Sequence, residues 1–252
     1  PGAGYTIDLE RQRVELHRSP TDLYPQLTAT LSSIEQVQTL AGASSRVTGA
    51  LDTKQIVSMG QDTINAGPAD NTLVIAGSGA RVNGGAGKDR YLIANGIGVV
   101  RIDEDGEDLS HVEMAWPFER LQSWSIHENT LVISALSDAD GDLAEQQVII
   151  MNVYETIAGN RVLKNNKLVF LTQDGYVLFP ILPIELLGSE NHSVTVQIIA
   201  RGPEKTLQAV INNREYALSA DGESNLFIPR DTMHTTLRFI SARSEERRVG
   251  KE

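Results

Sequence analysis

The sequence predicts an all-β protein: a parallel β-roll, which is a form of solenoid, with a strand-rich capping region and then a small β-sandwich-like domain. Three observations predict it. Apolar residues recur every nine positions in the middle of the chain, turn-forming residues precede each of them by two positions, and short alternating segments fill the rest. The recurring apolar residues are Ile64, Leu73, Val82, Tyr91 and Val100. Because one short strand cannot bury its apolar residue alone, stacking residue i on residue i+18 would create a shared core.

Residues 1–56 are predicted to form a strand-rich lead-in to the roll. Residues 4–16 alternate apolar and polar side chains, which predicts one or two strands. Residues 31–40 space their apolar side chains by three, which fits either a helical turn or the first strand of the roll. A strand at 35–39 is favoured because Gly42 follows so soon.

Residues 57–102 carry the predicted roll. The best single repeat spans residues 84–92 and reads Gly-Gly-Ala-Gly-Lys-Asp-Arg-Tyr-Leu. It resembles the calcium-binding nonapeptide repeat of the RTX family, G-G-x-G-x-D-x-U-x, in which U is a large apolar residue. The resemblance implies a parallel β-roll, export by a type I secretion system, and folding with calcium outside the cell.

The resemblance also implies calcium sites between stacked turns, where backbone carbonyls and aspartates supply oxygen ligands. The stacked partner of Asp89 is Asn71, eighteen residues earlier, so the best site is expected between turns 67–71 and 84–89. Asp62 stacks on Ala80, which offers no side-chain oxygen. The alternative is a roll held by its apolar core without metal. The candidate metal ligands are Asp62, Gly67, Ala69, Asn71, Gly84, Gly85, Gly87 and Asp89.

Residues 103–180 are predicted to form a β-rich cap that covers the open edge of the roll. The acidic runs 103–108 and 138–142 fit either cation-binding loops or solvated turns. Turns are favoured, because Met114 and Ile149 stand where an EF-hand loop needs its last glutamate. Hairpins are predicted around 128–129 and 173–175, and a β-branched strand at 147–153.

Residues 184–240 are predicted to form the small β-sandwich-like domain, and a missing C-terminus would remove its last strand. Residues 243–252 resemble translated adapter sequence and are interpreted as an artefactual tail; a natural basic tail is the alternative. The strands predicted for this domain span residues 194–198, 206–211, 215–218, 225–228 and 235–240.

Composition restricts the function. The formal net charge of −11 disfavours nucleic acid as a partner. The chain has no cysteine, hence no disulfide and no thiolate chemistry, and no apolar stretch long enough to span a bilayer. Its five histidines show no metal-ligand spacing, and no nucleophile motif is present, so we expect no enzyme activity. Trp116 and Trp124 could stack on a sugar ring, but core positions are favoured.

These observations lead to one functional hypothesis and two alternatives. The chain is expected to be a noncatalytic, calcium-binding β-roll module of a secreted, extracellular RTX-type bacterial protein with toxin-like character. Calcium and type I secretion machinery are its expected partners. The first alternative is an adhesin or surface-polymer-binding module. The second is an accessory region of a secreted polysaccharide-modifying enzyme.

Overall fold

The computed structural model describes residues 4–19, 21–104, 108–137, 144–158, 160–175, 177–178, 180, 195–201, 206–211, 214–217 and 234–241. The regular secondary structure of this part of the chain consists of β-strands and one short 3₁₀ turn at Phe118–Arg120, with no α-helix. The all-β prediction is therefore confirmed for the described residues.

The strands are short in the first half of the chain and longer after residue 120. The first twelve are β1 (Gly4–Asp8), β2 (Arg13–His17), β3 (Leu27–Thr30), β4 (Gln36–Gln38), β5 (Ser44–Thr48), β6 (Gln55–Ser58), β7 (Thr63–Asn65), β8 (Thr72–Ile75), β9 (Arg81–Asn83), β10 (Arg90–Ile93), β11 (Val99–Asp103) and β12 (Ser110–Met114). The others are β13 (Leu121–His127), β14 (Thr130–Ser137), β15 (Ala144–Met151), β16 (Tyr154–Ile157), β17 (Asn160–Leu163), β18 (Leu168–Thr172), β19 (Val177–Leu178), β20 (Thr195–Arg201), β21 (Thr206–Ile211), β22 (Arg214–Ala217) and β23 (His234–Ser241).

From β4 to β12 the chain alternates between two sheets. The odd-numbered strands β5, β7, β9 and β11 pair in parallel in a larger sheet, and the even-numbered strands β4 to β12 pair in parallel in a smaller one. The register places Ile64 beside Val82 and Leu73 beside Tyr91, eighteen residues apart in each case. The inward side chains of both sheets form one continuous apolar core.

All five residues of the nine-residue repeat are buried, as predicted. The predicted spacing is wrong at the last step, because Val82 pairs with Ile102 and not with Val100. The register between β9 and β11 is therefore two residues longer than that between β7 and β9. Val100 still faces the core, since residues 100 and 102 point to the same side of one strand.

Antiparallel strands extend the larger sheet on both sides of this parallel segment. At one end β1 pairs in parallel with β5 and antiparallel with β2, which pairs with β3 at the edge. At the other end β11 joins β15, β14 and β13, and the order continues through β23, β20, β21 and β22. These last four strands extend the larger sheet, and the predicted sandwich-like domain stays a prediction.

Several local predictions are confirmed. The segment 31–40 contains the short strand β4 and no helical turn. β13 and β14 form a hairpin with Glu128 at φ 52°, and β18 pairs with β19 around Gly175. Trp116 is fully buried, and its indole Nε1 donates to the carbonyl of Ala94 over 3.2 Å. Some predicted features lie outside the described residues. They are the turn at 138–142, the strand 225–228, the tail 243–252, the side chain of Trp124 and residues 105–107 of the acidic run.

Candidate calcium site

A ladder of buried polar residues runs along the edge where the smaller sheet's strands begin. Asn71 donates its side-chain Nδ2–H to the carbonyl of Thr53 over 2.8 Å, and its backbone N–H to Oδ1 of Asp89 over 2.9 Å. The backbone N–H of Asp89 in turn donates to the hydroxyl of Ser110 over 3.0 Å. All four residues are buried. The ladder places the predicted pair Asn71 and Asp89 in direct contact.

The two turns of the predicted site approach each other through their backbones. Gly85 and Gly87 have φ of +88° and +115°, which disfavours any residue with a Cβ. A Cβ on Gly85 would collide with the carbonyl oxygen of Gly67, and one on Gly87 would come within 2.8 Å of the carbonyl oxygen of Ala69. The carbonyl oxygens of the first turn therefore face the glycines of the second.

The side-chain oxygen Oδ1 of Asn71 is a buried acceptor of this site without a hydrogen bond to the described residues. A buried carbonyl oxygen without a partner costs on the order of 1–3 kcal/mol. A ligand that accepts electron pairs, such as a cation, would recover that free energy.

A second carboxylate, which the repeat motif does not contain, also lies between these turns. Asp70 is exposed, and its Oδ1 accepts the backbone N–H of Lys88 over 2.8 Å. The same oxygen lies 3.0 Å from the position that a Cβ on Gly87 would take. Sequence reasoning missed Asp70 because it precedes the motif position by one residue. The eighteen-residue spacing to Lys88 was the signal that could have found it.

The position of Gly84 shows how closely Asp89 packs. A Cβ at residue 84 would collide with Oδ2 of Asp89 and with the hydroxyl of Tyr91. Only glycine fits there without displacing the carboxylate. Gly84 is therefore required by the packing of Asp89.

Asp62 lies apart from this site and has a different environment. Its carboxylate is buried and accepts hydrogen bonds from the hydroxyls of Thr39 (2.6 Å) and Ser58 (2.8 Å). It also accepts the backbone N–H groups of Ser45 (2.9 Å) and Gly60 (3.2 Å). Four donors converge on one carboxylate, so Asp62 ties together three successive segments of chain. The structure does not bring it to the turn pair 67–71 and 84–89.

Next to the ladder, the buried acid Glu104 contacts Tyr91, the tyrosine of the nine-residue repeat. The hydroxyl of Tyr91 donates to Oε2 of Glu104, and the hydroxyl of Ser110 donates to Oε1 over 3.2 Å. Burial raises the pKa of Tyr91 well above its usual value, and the nearby Glu104 raises it further. Sequence reasoning missed Glu104 because it lies beyond the repeats, in an acidic run that was interpreted as a solvated turn.

The donor set of the turn pair fits a hard cation. The available atoms are all oxygens: the carbonyls of Gly67 and Ala69, the amide oxygen of Asn71 and the carboxylates of Asp70 and Asp89. Calcium prefers such mixed carbonyl and carboxylate ligands. No cluster of three or more His, Cys, Asp or Glu side chains suited to a metal occurs in the described part of the chain. Backbone oxygens would therefore supply part of the coordination.

Comparisons with protein-family models, with curated proteins and with solved structures gave no match to this sequence. Within the described ranges, no helix has the length and apolar character that crossing a bilayer requires.

Proposed function

We propose that this chain is a noncatalytic, calcium-binding β-roll module of a secreted, RTX-type bacterial protein with toxin-like character. In this proposal the strands β4 to β12 are the windings of the roll. Two features support the roll: the regular alternation of parallel strands between two sheets, and the register of seventeen to twenty-one residues between stacked neighbours. Type I secretion machinery would be the partner during export.

The observation that carries the calcium proposal is the buried Oδ1 of Asn71, which has no partner among the described residues. It belongs to the turn pair in which the oxygens of Gly67 and Ala69 face Gly85 and Gly87. The ion would be held by these two carbonyl oxygens and by the side chains of Asn71, Asp70 and Asp89. Calcium would supply positive charge next to the carboxylate of Asp89, which is buried and otherwise costly to bury.

The consequence for folding follows from linkage. An ion that binds the folded chain and not the unfolded chain stabilises the folded state by RT ln(1 + [L]/Kd). Extracellular calcium modules have Kd values of about 10⁻⁴–10⁻³ M. Calcium at about 10 mM would then add about 1.4–2.7 kcal/mol to the free energy of unfolding. The folded roll would therefore be less stable where calcium is scarce, during export, and more stable where calcium is abundant.

The test is thermal unfolding of the 252-residue chain, followed by circular dichroism in 10 mM calcium and in EDTA. We expect calcium to raise the melting temperature and to increase the β signal. Magnesium at the same concentration should have a smaller effect, because it loses its water reluctantly and demands near-octahedral geometry. Equal melting curves in calcium and EDTA would leave a β-fold held by its apolar core alone and would refute the calcium assignment.

A further inference from the structure

The outer face of the larger sheet carries a row of arginines. Arg46 on β5 pairs with Thr63 on β7, Thr63 pairs with Arg81 on β9, and Arg81 pairs with Arg101 on β11. These residues alternate with buried core residues along their strands, so they point away from the core. Neighbouring strands lie about 4.8 Å apart. Along this line Arg46 and Arg81 are therefore about 10 Å apart, and Arg81 and Arg101 are about 5 Å apart.

Within the described part of the chain, these three guanidinium groups form no ion pair. The salt bridges of the described residues involve other cations, and none includes Arg46, Arg81 or Arg101. Arg46 and Arg81 are exposed and Arg101 is half-buried. Because the whole chain has a formal net charge of −11, a straight row of unpaired positive groups is unusual on its surface. Such a row is complementary to a linear chain of negative charges.

A parallel row of polar side chains with a carboxylate at each end lies beside the arginines. Thr48, Asn65 and Asn83 pair in register on the same outward face. Asp8, which is paired with Arg11, lies at one end of the row, and Asp103, whose Oδ1 accepts Nδ2–H of Asn152 over 3.0 Å, lies at the other. Amides and hydroxyls can both donate to and accept from sugar hydroxyls, and arginine binds carboxylates in a bidentate manner. Neither row contains an aromatic residue, so neither can stack the bases of a single-stranded nucleic acid.

A cavity of about 460 Å³ lies at the Arg46 end of the row, under the loop between β2 and β3. His17, one of its lining residues, is buried, and its Nδ1 has no hydrogen-bond partner among the described residues. Arg46 and Thr63 also line it, as does the acidic Asp22. The cavity can hold one sugar unit, and a sugar hydroxyl can donate to or accept from an imidazole nitrogen.

The second nitrogen of the His17 ring is already engaged. Its Nε2 lies 3.3 Å from the hydroxyl of Thr6 and 3.4 Å from Oε2 of Glu15. Glu15 is also paired with Arg13 at 2.5 Å, so its charge is compensated outside the cavity. These contacts fix the orientation of the His17 ring at the wall of the cavity.

From this arrangement we propose that the outer face of the larger sheet binds a carboxylated polysaccharide. The chain would lie along Arg46, Arg81 and Arg101, with one sugar unit in the cavity beside His17. The proposal uses none of the calcium-site residues, and it holds whether or not the turns bind metal.

The test is binding of tetragalacturonate to the 252-residue chain in EDTA, measured by isothermal titration calorimetry, with maltotetraose as the neutral ligand of equal length. We expect binding of tetragalacturonate alone, weakened by added salt. Arg81→Gln should weaken it about tenfold, as the loss of one charge-assisted pair predicts. Arg81→Lys should weaken it less. Arg90→Gln is the matched control, because Arg90 lies on the other sheet and is paired with Glu113.

NMR spectra of the His17 ring provide a second readout, since its resonances should shift as tetragalacturonate is added. Three results would overturn the proposal. The first is an equal loss of affinity for tetragalacturonate in Arg81→Gln and Arg90→Gln. The second is binding of maltotetraose with the same affinity as tetragalacturonate. The third is binding of oligothymidylate that is tighter than that of tetragalacturonate and depends on Arg81. The last result would make nucleic acid the ligand. Because the assay contains EDTA, its failure would leave the calcium proposal untouched.

Discussion

The backbone N–H of Asn71 donates to Oδ1 of Asp89 over 2.9 Å, eighteen residues further along the chain. This bond fixes the Asp89 carboxylate against the preceding turn. The amide oxygen of Asn71, which has no partner in the described residues, belongs to the same buried edge. The pair is therefore the centre of the proposed calcium site, and its substitution gives the most direct prediction.

Asp89→Asn should abolish the rise in melting temperature that calcium produces, because the amide keeps the shape of the side chain and removes its charge. In EDTA the variant should be about as stable as the parent, since it buries one charge fewer. The measurement is thermal unfolding with and without calcium. Asp62→Asn is the matched control and should keep the full calcium shift. An unchanged shift in Asp89→Asn would exclude Asp89 as a ligand.

Asp62→Ala should destabilise the fold with or without calcium. The substitution leaves the donors on Thr39, Ser58, Ser45 and Gly60 without their acceptor. Each buried group left unsatisfied costs on the order of 1–3 kcal/mol. We expect a loss of roughly 3 kcal/mol or more, measured by urea unfolding. In EDTA, Asp70→Ala, which removes an exposed carboxylate, should cost less than about 1 kcal/mol. Similar losses in both variants would contradict the role assigned to Asp62.

The role of Asp62 shows where sequence reasoning reaches its limit. The motif identified an aspartate at a turn position and assigned it to calcium. The hydroxyl of Thr39 that binds this aspartate is 23 residues away and belongs to no repeat. A contact of that kind depends on three-dimensional packing. The nine-residue pattern therefore predicted that Ile64 and Leu73 are core residues, but not what Asp62, two positions before Ile64, contacts.

The pairing of Val82 shows a second limit. The apolar pattern continued to Val100, yet the ladder pairs Val82 with Ile102. Residues 100 and 102 lie on the same side of a strand and both are apolar, so either satisfies the core. Hydrophobic periodicity therefore predicted which face is buried, but it could not detect the two-residue difference in register between β9 and β11.

Gly85→Ala should destabilise the protein much more than Gly42→Ala. Both glycines have positive φ, +88° and +73°, which costs an alanine roughly 1–2 kcal/mol. A methyl group on Gly42 meets nothing within 4 Å, whereas one on Gly85 collides with the carbonyl oxygen of Gly67. We expect about 1 kcal/mol for Gly42→Ala and at least about 3 kcal/mol for Gly85→Ala in urea unfolding. Equal losses would show that the two turns are not in close contact.

The buried tyrosine predicts a loss of stability at alkaline pH. Burial and Glu104 raise the pKa of folded Tyr91 well above its usual value near 10, so the folded state favours the neutral phenol. The resulting stabilisation is fully present below about pH 10, where the unfolded tyrosine is also neutral. It is lost as pH rises towards the folded pKa, at about 1.4 kcal/mol per pH unit.

Tyr91→Phe isolates this effect, because it removes the ionisable group and keeps the ring in the core. The variant also loses the hydrogen bond to Glu104, so it should be less stable than the parent at neutral pH by roughly 1–3 kcal/mol. Urea unfolding of both proteins between pH 8 and pH 11.5 would give the difference in free energy of unfolding at each pH. We expect the difference to be constant up to about pH 10 and then to shrink, because only the parent loses this contribution. A difference that stays constant across the whole range would show that Tyr91 titrates like an exposed tyrosine, which its burial against Glu104 forbids.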